Sequence, residues 1–405
     1  MDRWVKDNID YSIIAIVLSL LVIGVASVYS ATYDVGAPIY FQRQLIWSGV
    51  GLLLMFTIML VPIRTIQLLS YPLYVGSLLV LLVILAAGKV VAGSKSWFGV
   101  GGFGLQPSEI VKVTTILALA SFLSSRHVNV NKFKDLLTAS TIVILPVILI
   151  VLQPDVGTAV VYVGMLLIIL YWAGISNFIL LMIVAPCVAA IATLSGTTPF
   201  VIVIVVTVAL LVFLKENRLL SALVFSATVL MGVSVQFIFG KLAPHQQKRI
   251  LTFLNPDYDP LGAGYNVIQS KIAIGSGGLF GKGYLQGTQT QLNFLPAQWT
   301  DFIYCVPSEE FGFLGAFAIL SLLTALLVRG VMIASSVKSR FASIVAIGIV
   351  ATLAVHTIIN VGMAMGIMPV IGVPLPFMSY GGSNMLTNMI MAGLLLNMYA
   401  NRKEY

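Results

Sequence analysis

Glu109 and Lys112 stand three residues apart in "LQPSEIVKVTTILALASFL", inside an apolar run. At i, i+3 both side chains project from one side of a helix and can pair. An ionisable group inside a membrane span is costly enough that it ordinarily faces a bundle interior or a cavity. The alternative is local: Ser108 and Glu109 open the helix as cap and dipole partner, while Lys112 snorkels outward. Asp155 in "QPDVGT" reads as an acid at a helix N-terminus, and so do Glu309 and Glu310 after Ser308 in "PSEE". Asp301 does not fit that pattern, because it precedes Pro307 among Trp299, Phe302 and Tyr304. A carboxylate against apolar walls has its ionised form disfavoured, which raises its basicity toward that of a general base. The other reading is a loop carboxylate satisfied by backbone N–H groups.

The Gly-rich stretch "IGSGGLFGKGYLQGTQ" (274–289) resembles a Walker loop only superficially. Gly281 and Lys282 are followed by Gly283 instead of Ser or Thr, and neither Gly275 nor Gly277 stands at the required spacing. With Lys271 and Lys282 nearby, its backbone N–H groups could still hold a phosphate, although a flexible surface loop is the first reading. There is no HExxH, CxxC or GxSxG, which argues against zinc hydrolysis and a serine nucleophile. Cys187 and Cys305 are too far apart in sequence to suggest a ligand set or a disulfide framework.

The elements that position these residues are dictated by composition. Of 405 residues 59% are hydrophobic and 9% charged, and the mean hydropathy is +1.03, so the solvent for most of the chain is lipid. The first apolar run, 11–30, is long enough to span and reads as a retained helix. Further apolar windows fall at 44–61, 68–87, 107–124, 137–153, 156–173, 177–194, 199–214, 219–239, 307–328, 342–364 and 380–400. The expectation is an all-α polytopic membrane protein of about twelve spans, a single integral membrane domain over 1–405. Alternate connections carry Arg64, then Arg126, Lys132 and Lys134, then Lys215 and Arg218, then Arg329, Lys338 and Arg340. The positive-inside rule therefore places both termini in the cytoplasm, and the large loop 240–306 outside together with 88–106. The net charge of +8 is spread over short loops, which argues for orientation in a membrane and against nucleic acid. The last outer connection, "GIMPVIGVPLPFMSYGGS" (366–383), carries Pro369, Pro374 and Pro376 and cannot be helical throughout. It reads either as a re-entrant wall of a groove or as a hydrophobic surface loop.

Taken together, "SWFGVGGFGLQPSEIVK", "QPDVGT", "RILTFLNPDYDPLGAGYNVIQSKIAIGSGGLFGKG", "FLPAQWTDFIY" and "GVPLPFMSYGGS" resemble the SEDS proteins (shape, elongation, division and sporulation), in the family's order and over most of the chain. "DPLGAGYNVIQSKIAIGSGG" and "GVPLPF" are closer to its elongation branch, RodA, than to its division branch, FtsW. The resemblance implies a peptidoglycan glycosyltransferase of the bacterial cytoplasmic (inner) membrane, working in cell elongation. Its substrate would be lipid II, a disaccharide-pentapeptide on undecaprenyl diphosphate. Its partners would be a class B penicillin-binding protein and other membrane proteins of the elongation complex. The resemblance also implies that Asp301 is the essential acid of the outer loop, that Glu109 and Lys112 are the family's intramembrane pair, and that Trp97 matches the tryptophan of its first outer motif. Two departures stand out. Family members usually have ten spans, so 177–239 reads as a region of extra helices, and "PAQWTD" stands where "PERHTD" or "PEAHTD" is common.

On this reading Asp301 takes the proton from the acceptor sugar's 4-OH as it attacks the donor's anomeric carbon with inversion. Lys112, Lys271, Lys282 and Arg249 are candidate stabilisers of the departing diphosphate, with a divalent cation, Mg or Mn, as an optional aid. The competing classes are a lipid-linked precursor flippase, which tends to place polar sites at the midplane of matched halves, and a non-catalytic scaffold of the cell-wall machine.

Overall fold

The computed structural model describes residues 8–34, 36–91, 94–100, 103–241, 247, 259–260, 262 and 264–403. Each of the apolar windows is occupied by a helix: α1 (Tyr11–Tyr33), α2 (Pro38–Met59), α3 (Ile63–Ala87), α4 (Pro107–Leu123), α5 (Phe133–Val151), α6 (Val156–Trp172), α7 (Asn177–Leu194), α8 (Thr197–Leu214) and α9 (Arg218–Lys241) come first. The loop region contributes three short helices, α10 (Tyr265–Ser276), α11 (Thr288–Gln291) and α12 (Cys305–Glu310), before α13 (Gly312–Ser336), α14 (Arg340–Ala364) and α15 (Gly382–Ala400). By length and composition, eight of these helices can cross a membrane, and α6 is a shorter apolar helix.

One departure from an all-α expectation is the 88–106 connection. It forms β1 (Lys89–Val91), β2 (Ser94–Val100) and β3 (Phe103–Leu105), a small antiparallel sheet in the order β1-β2-β3. Phe98 pairs with Leu105 and Val100 with Phe103. The aromatic and β-branched residues Trp97, Phe98, Val100 and Phe103 suit a pleated surface, and at Gly104 a Cβ would come within 2.9 Å of the Trp97 ring. Trp97 is thus fixed over β3 by the absence of a side chain there.

Two compact units form. The first comprises 1–129, 133–169 and 266–405, and the second 130–132 and 170–265. In the second, α7, α8 and α9 close around Phe178, Leu211 and Val224; they occupy 177–241, the region in which the extra helices are expected. In the first, α14 is the central element, since 78% of its most apolar window is buried against 11–39% for the other seven candidate spans. Side chains from α14 are therefore available to hold segments on several sides. α1 begins at Asp10, whose carboxylate accepts from Ser12 N and Ile13 N at 3.0 and 3.3 Å and from Arg329 Nε of α13 at 2.6 Å. One acid both caps a helix and ties it to a neighbour.

Candidate active site

Asp301 lies just before α12, half-buried, and its position is set by backbone bonds on both sides. Ala297, in a left-handed conformation at φ 53°, turns the chain so that its carbonyl accepts from Thr300 N and Phe302 N at 3.1 and 3.4 Å. Ser379 Oγ donates to Thr300 C=O at 2.7 Å, Tyr380 N to Trp299 C=O at 2.8 Å and Asn360 Nδ2 to Asp301 C=O at 2.8 Å. Trp299 stacks on Tyr40 with ring centroids 5.2 Å apart, and Tyr40 meets Tyr380 edge-on at 5.1 Å. Trp299 therefore contributes packing where the resembling family commonly has a histidine. Burial, partly offset by the Thr300 side chain, pushes the Asp301 carboxyl up to about 6. Among the described residues no backbone N–H donates to this carboxylate, and an environment set by burial favours a base near neutrality.

The facing wall is the 366–381 segment, and it is packed, not a loose surface loop: Val373, Leu375, Phe377, Met378 and Ser379 are buried. Two glycines let helices approach its backbone. A Cβ on Gly157 of α6 would lie 2.2 Å from the Ile371 carbonyl oxygen, and one on Gly24 of α1 would lie 2.6 Å from Met378 Cα. This accounts for the glycine of "QPDVGT". A Cβ on Gly372 would lie 3.5 Å from Asp301 Oδ2, so the exposed Gly372 borders the carboxylate without covering it. At the start of the same segment the Lys271 stem lies against Gly366, held there because Ser270 Oγ donates to Ala364 C=O at 2.8 Å. Lys271 is exposed and makes no ion pair among the described residues.

Glu109 and Lys112 form a buried pair. Lys112 Nζ donates to both Glu109 carboxylate oxygens at 2.8 Å and reaches His356 Nε2 at 2.7 Å. Neither capping nor snorkelling describes them, since Glu109 is 3% and Lys112 0% exposed. Gln106 occupies the N-cap of α4 without a side-chain cap bond. The buried ammonium thus has three acceptors, two of them the oxygens of a carboxylate of opposite charge. Asp155 behaves as expected, accepting from Thr158 N at 3.1 Å at the start of α6 and also from Gln106 Nε2 at 2.7 Å.

Glu309 and Glu310 do not cap the long helix. They end α12, and α13 begins at Gly312 behind Phe311, which makes no side-chain cap bond. Glu309 instead accepts from Lys282 Nζ at 2.7 Å, Gln289 N at 2.9 Å and Thr290 N at 3.1 Å, so it caps α11. Burial raises its carboxyl, and the Lys282 ammonium with the Gln289 and Thr290 bonds more than reverses this, leaving it below its usual value. Glu310 bonds Ser30 Oγ and Leu285 N, and burial outweighs those bonds to hold its carboxyl above the usual value. The Gly-rich turn is likewise anchored. Lys282 N and Gly283 N donate to Glu309 and Glu310 carbonyls at 3.1 and 3.0 Å, and a Cβ on Gly281, at φ 80°, would lie 2.0 Å from Glu310 O. Its glycines serve close backbone approach, and these two N–H groups are already occupied. Arg249 lies outside the described residues.

A model of the FtsW/RodA/SpoVE family, described as cell cycle protein, matches residues 8–201 and 195–404. The chain belongs to this family. It is 34% identical over 435 residues to the peptidoglycan glycosyltransferase RodA of Treponema pallidum, covering 99% of each chain. It is 38% identical to the stage V sporulation protein E of Bacillus subtilis over 97% of each. Among solved structures it resembles one describing structural coordination of polymerization and crosslinking by a peptidoglycan synthase complex, with TM-score 0.75, 30% identity and coverage of 98% and 99%. It also resembles the rod shape determining protein RodA of Thermus thermophilus, with TM-score 0.65, 25% identity and 98% coverage of each chain. For a family member, the residues that sequence reasoning passed over are His356 and Asn360. Their signal was present: two polar side chains one turn apart in the apolar span "ATLAVHTIINVGMA".

Proposed function

We propose that this protein is a peptidoglycan glycosyltransferase that polymerises lipid II at the outer face of the bacterial cytoplasmic membrane during cell elongation, with Asp301 as general base. The observation that carries the site assignment is a half-buried carboxylate, raised to about 6, bordered by an exposed glycine on a packed wall. The activity is supported by relatives named as peptidoglycan glycosyltransferases over nearly their whole length.

The donor's diphosphate is already a good leaving group. What the reaction lacks is an acceptor alkoxide. As the 4-OH oxygen bonds to the donor's anomeric carbon, its proton passes to Asp301 and the C–O bond to the diphosphate breaks, inverting that centre. Positive charge beside the leaving diphosphate lowers the barrier further. Lys271 suits that part, being exposed beside the wall that borders Asp301. Lys282 is engaged by Glu309, and Lys112 by Glu109 and His356, so both act through the architecture. Trp97, over Gly104 in the sheet, is a candidate wall for the lipid or sugar. Among the described residues no group of three or more His, Cys, Asp or Glu is gathered to hold a metal; Mg or Mn would be held through the substrate's own diphosphate and would supply positive charge at the leaving group. A class B penicillin-binding protein as crosslinking partner is supported by the resemblance to a synthase complex that coordinates polymerization with crosslinking.

The test is purified protein in vesicles supplied with lipid II, with glycan polymer and lipid movement scored separately. Polymer is expected; lipid movement without polymer would replace this reading with a flippase.

A further inference from the structure

Asn360 and His356 lie one turn apart on α14 and both direct their side chains to the backbone of other segments. Asn360 Nδ2 donates to Asp301 C=O and to Val373 C=O, each at 2.8 Å. His356 Nδ1 meets Pro374 C=O at 3.1 Å and its Nε2 meets Lys112 Nζ at 2.7 Å. The proton positions follow from the partners. A carbonyl only accepts, so Nδ1 carries the hydrogen; an ammonium only donates, so Nε2 is the acceptor. Adjacent carbonyls of the wall, Val373 and Pro374, are thus held by two residues of one helix face. That face is fixed in turn to α4 through Lys112 and Glu109.

The amide of Asn360 is arranged for geometry. Both donor contacts of its Nδ2 go to carbonyls of separate segments, one of them the residue that carries the carboxylate, while its buried Oδ1 has no hydrogen-bond partner among the described residues. The side chain is 0% exposed, and an unpaired buried acceptor costs free energy. A residue serving only to fill the core would be replaced by an apolar one without that cost.

We propose that Asn360, seated by the His356–Lys112–Glu109 chain, is a positioning residue for Asp301: its amide fastens the Asp301 backbone to the wall at Val373 and so sets the direction in which the carboxylate meets the acceptor hydroxyl. This rests on the assignment of Asp301 as general base. His356, a turn away, holds the next carbonyl of the wall and keeps the two segments in register. Neither residue needs to touch substrate.

The experiment compares Asn360→Ala with Asn397→Ala, a matched control on α15. Asn397 Nδ2 also faces only backbone carbonyls, those of Ile58, Met59 and Val61 at 3.0, 3.0 and 2.6 Å, and takes no part in the site. Turnover per folded molecule, KM for lipid II and the pH dependence of turnover are measured for both. Asn360→Ala should lower kcat by roughly 10²-fold with KM changed less than about twofold. Freed from the wall, Asp301 should relax toward water, moving its pH limb below the wild-type position. Asn397→Ala should reduce the folded yield and leave kcat and the limb unchanged. If Asn360→Ala behaves like Asn397→Ala, the positioning role is overturned. Should Asn360→Ala not fold, Asn360→Leu, which keeps the volume and removes both donated bonds, reads the same quantities, and wild-type kcat and limb there would overturn the role equally. Asp301→Asn run alongside separates the failures: an active Asp301→Asn removes the base assignment, whereas an inactive one beside a normal Asn360→Ala removes only the positioning.

Discussion

A single carboxylate sets the chemistry, and its environment makes turnover and stability respond to pH in opposite directions. Burial raises the Asp301 carboxyl from 3.8 to about 6. The ionised form is the base, so polymerisation should be constant above that value and fall as pH drops through it. Folding favours the neutral form, so the stability that Asp301 contributes is present below its unfolded value near 3.8 and lost as pH rises through 6. Asp301→Asn should therefore unfold at a higher temperature than wild type at pH 7.5, with the gain shrinking to nothing near pH 4. Thermal unfolding in detergent at both pH values checks this; an Asn variant less stable than wild type at pH 7.5 would contradict it.

The elements hold that carboxylate by means that differ in how plainly the sequence displays them. Apolar windows located every long helix, because the hydrophobic requirement of a span is additive over some twenty residues and needs no partner. The pairing of Glu109 with Lys112 was legible for a similar reason, since i, i+3 spacing is local. The acids at 309 and 310 were misread as caps of the long helix because their partners, Lys282, Gln289 and Ser30, are distant in sequence. The sheet over 89–105 was passed over because its strands are short and glycine-rich. His356 and Asn360 escaped notice although they stand one turn apart, because the carbonyls they bond, at Pro374, Val373 and Asp301, are distant in sequence. The buried pair carries its own prediction. Lys112→Ala leaves Glu109 unpaired in a low-dielectric site and should cost roughly 3–5 kcal/mol of stability, whereas Lys134→Ala, an exposed charge, should cost less than about 0.5 kcal/mol. Equal unfolding temperatures for the two variants would reduce the pair to a dispensable contact.

At the scale of the whole molecule, the account requires the Asp301 loop to face outward, where lipid-linked donor and acceptor meet. Cys187 is exposed and Cys305 buried, so a background lacking Cys187 suits labelling of whole cells with an impermeant maleimide. A cysteine at Gln289 should label and one at Asn217 should not; the reverse pattern would invert the topology. With orientation fixed, the fold's glycine-lined approaches, the α14 side chains and the 366–381 wall converge on one requirement, a basic oxygen on Asp301. Asp301→Asn keeps the shape and hydrogen-bonding capacity of the side chain while removing that oxygen. The decisive measurement is glycan polymer formed from lipid II by the purified Asp301→Asn protein at pH 7.5, beside wild type. A folded variant that still binds lipid II and polymerises about 10²-fold more slowly, or worse, is the predicted result; polymerisation at the wild-type rate would contradict the account.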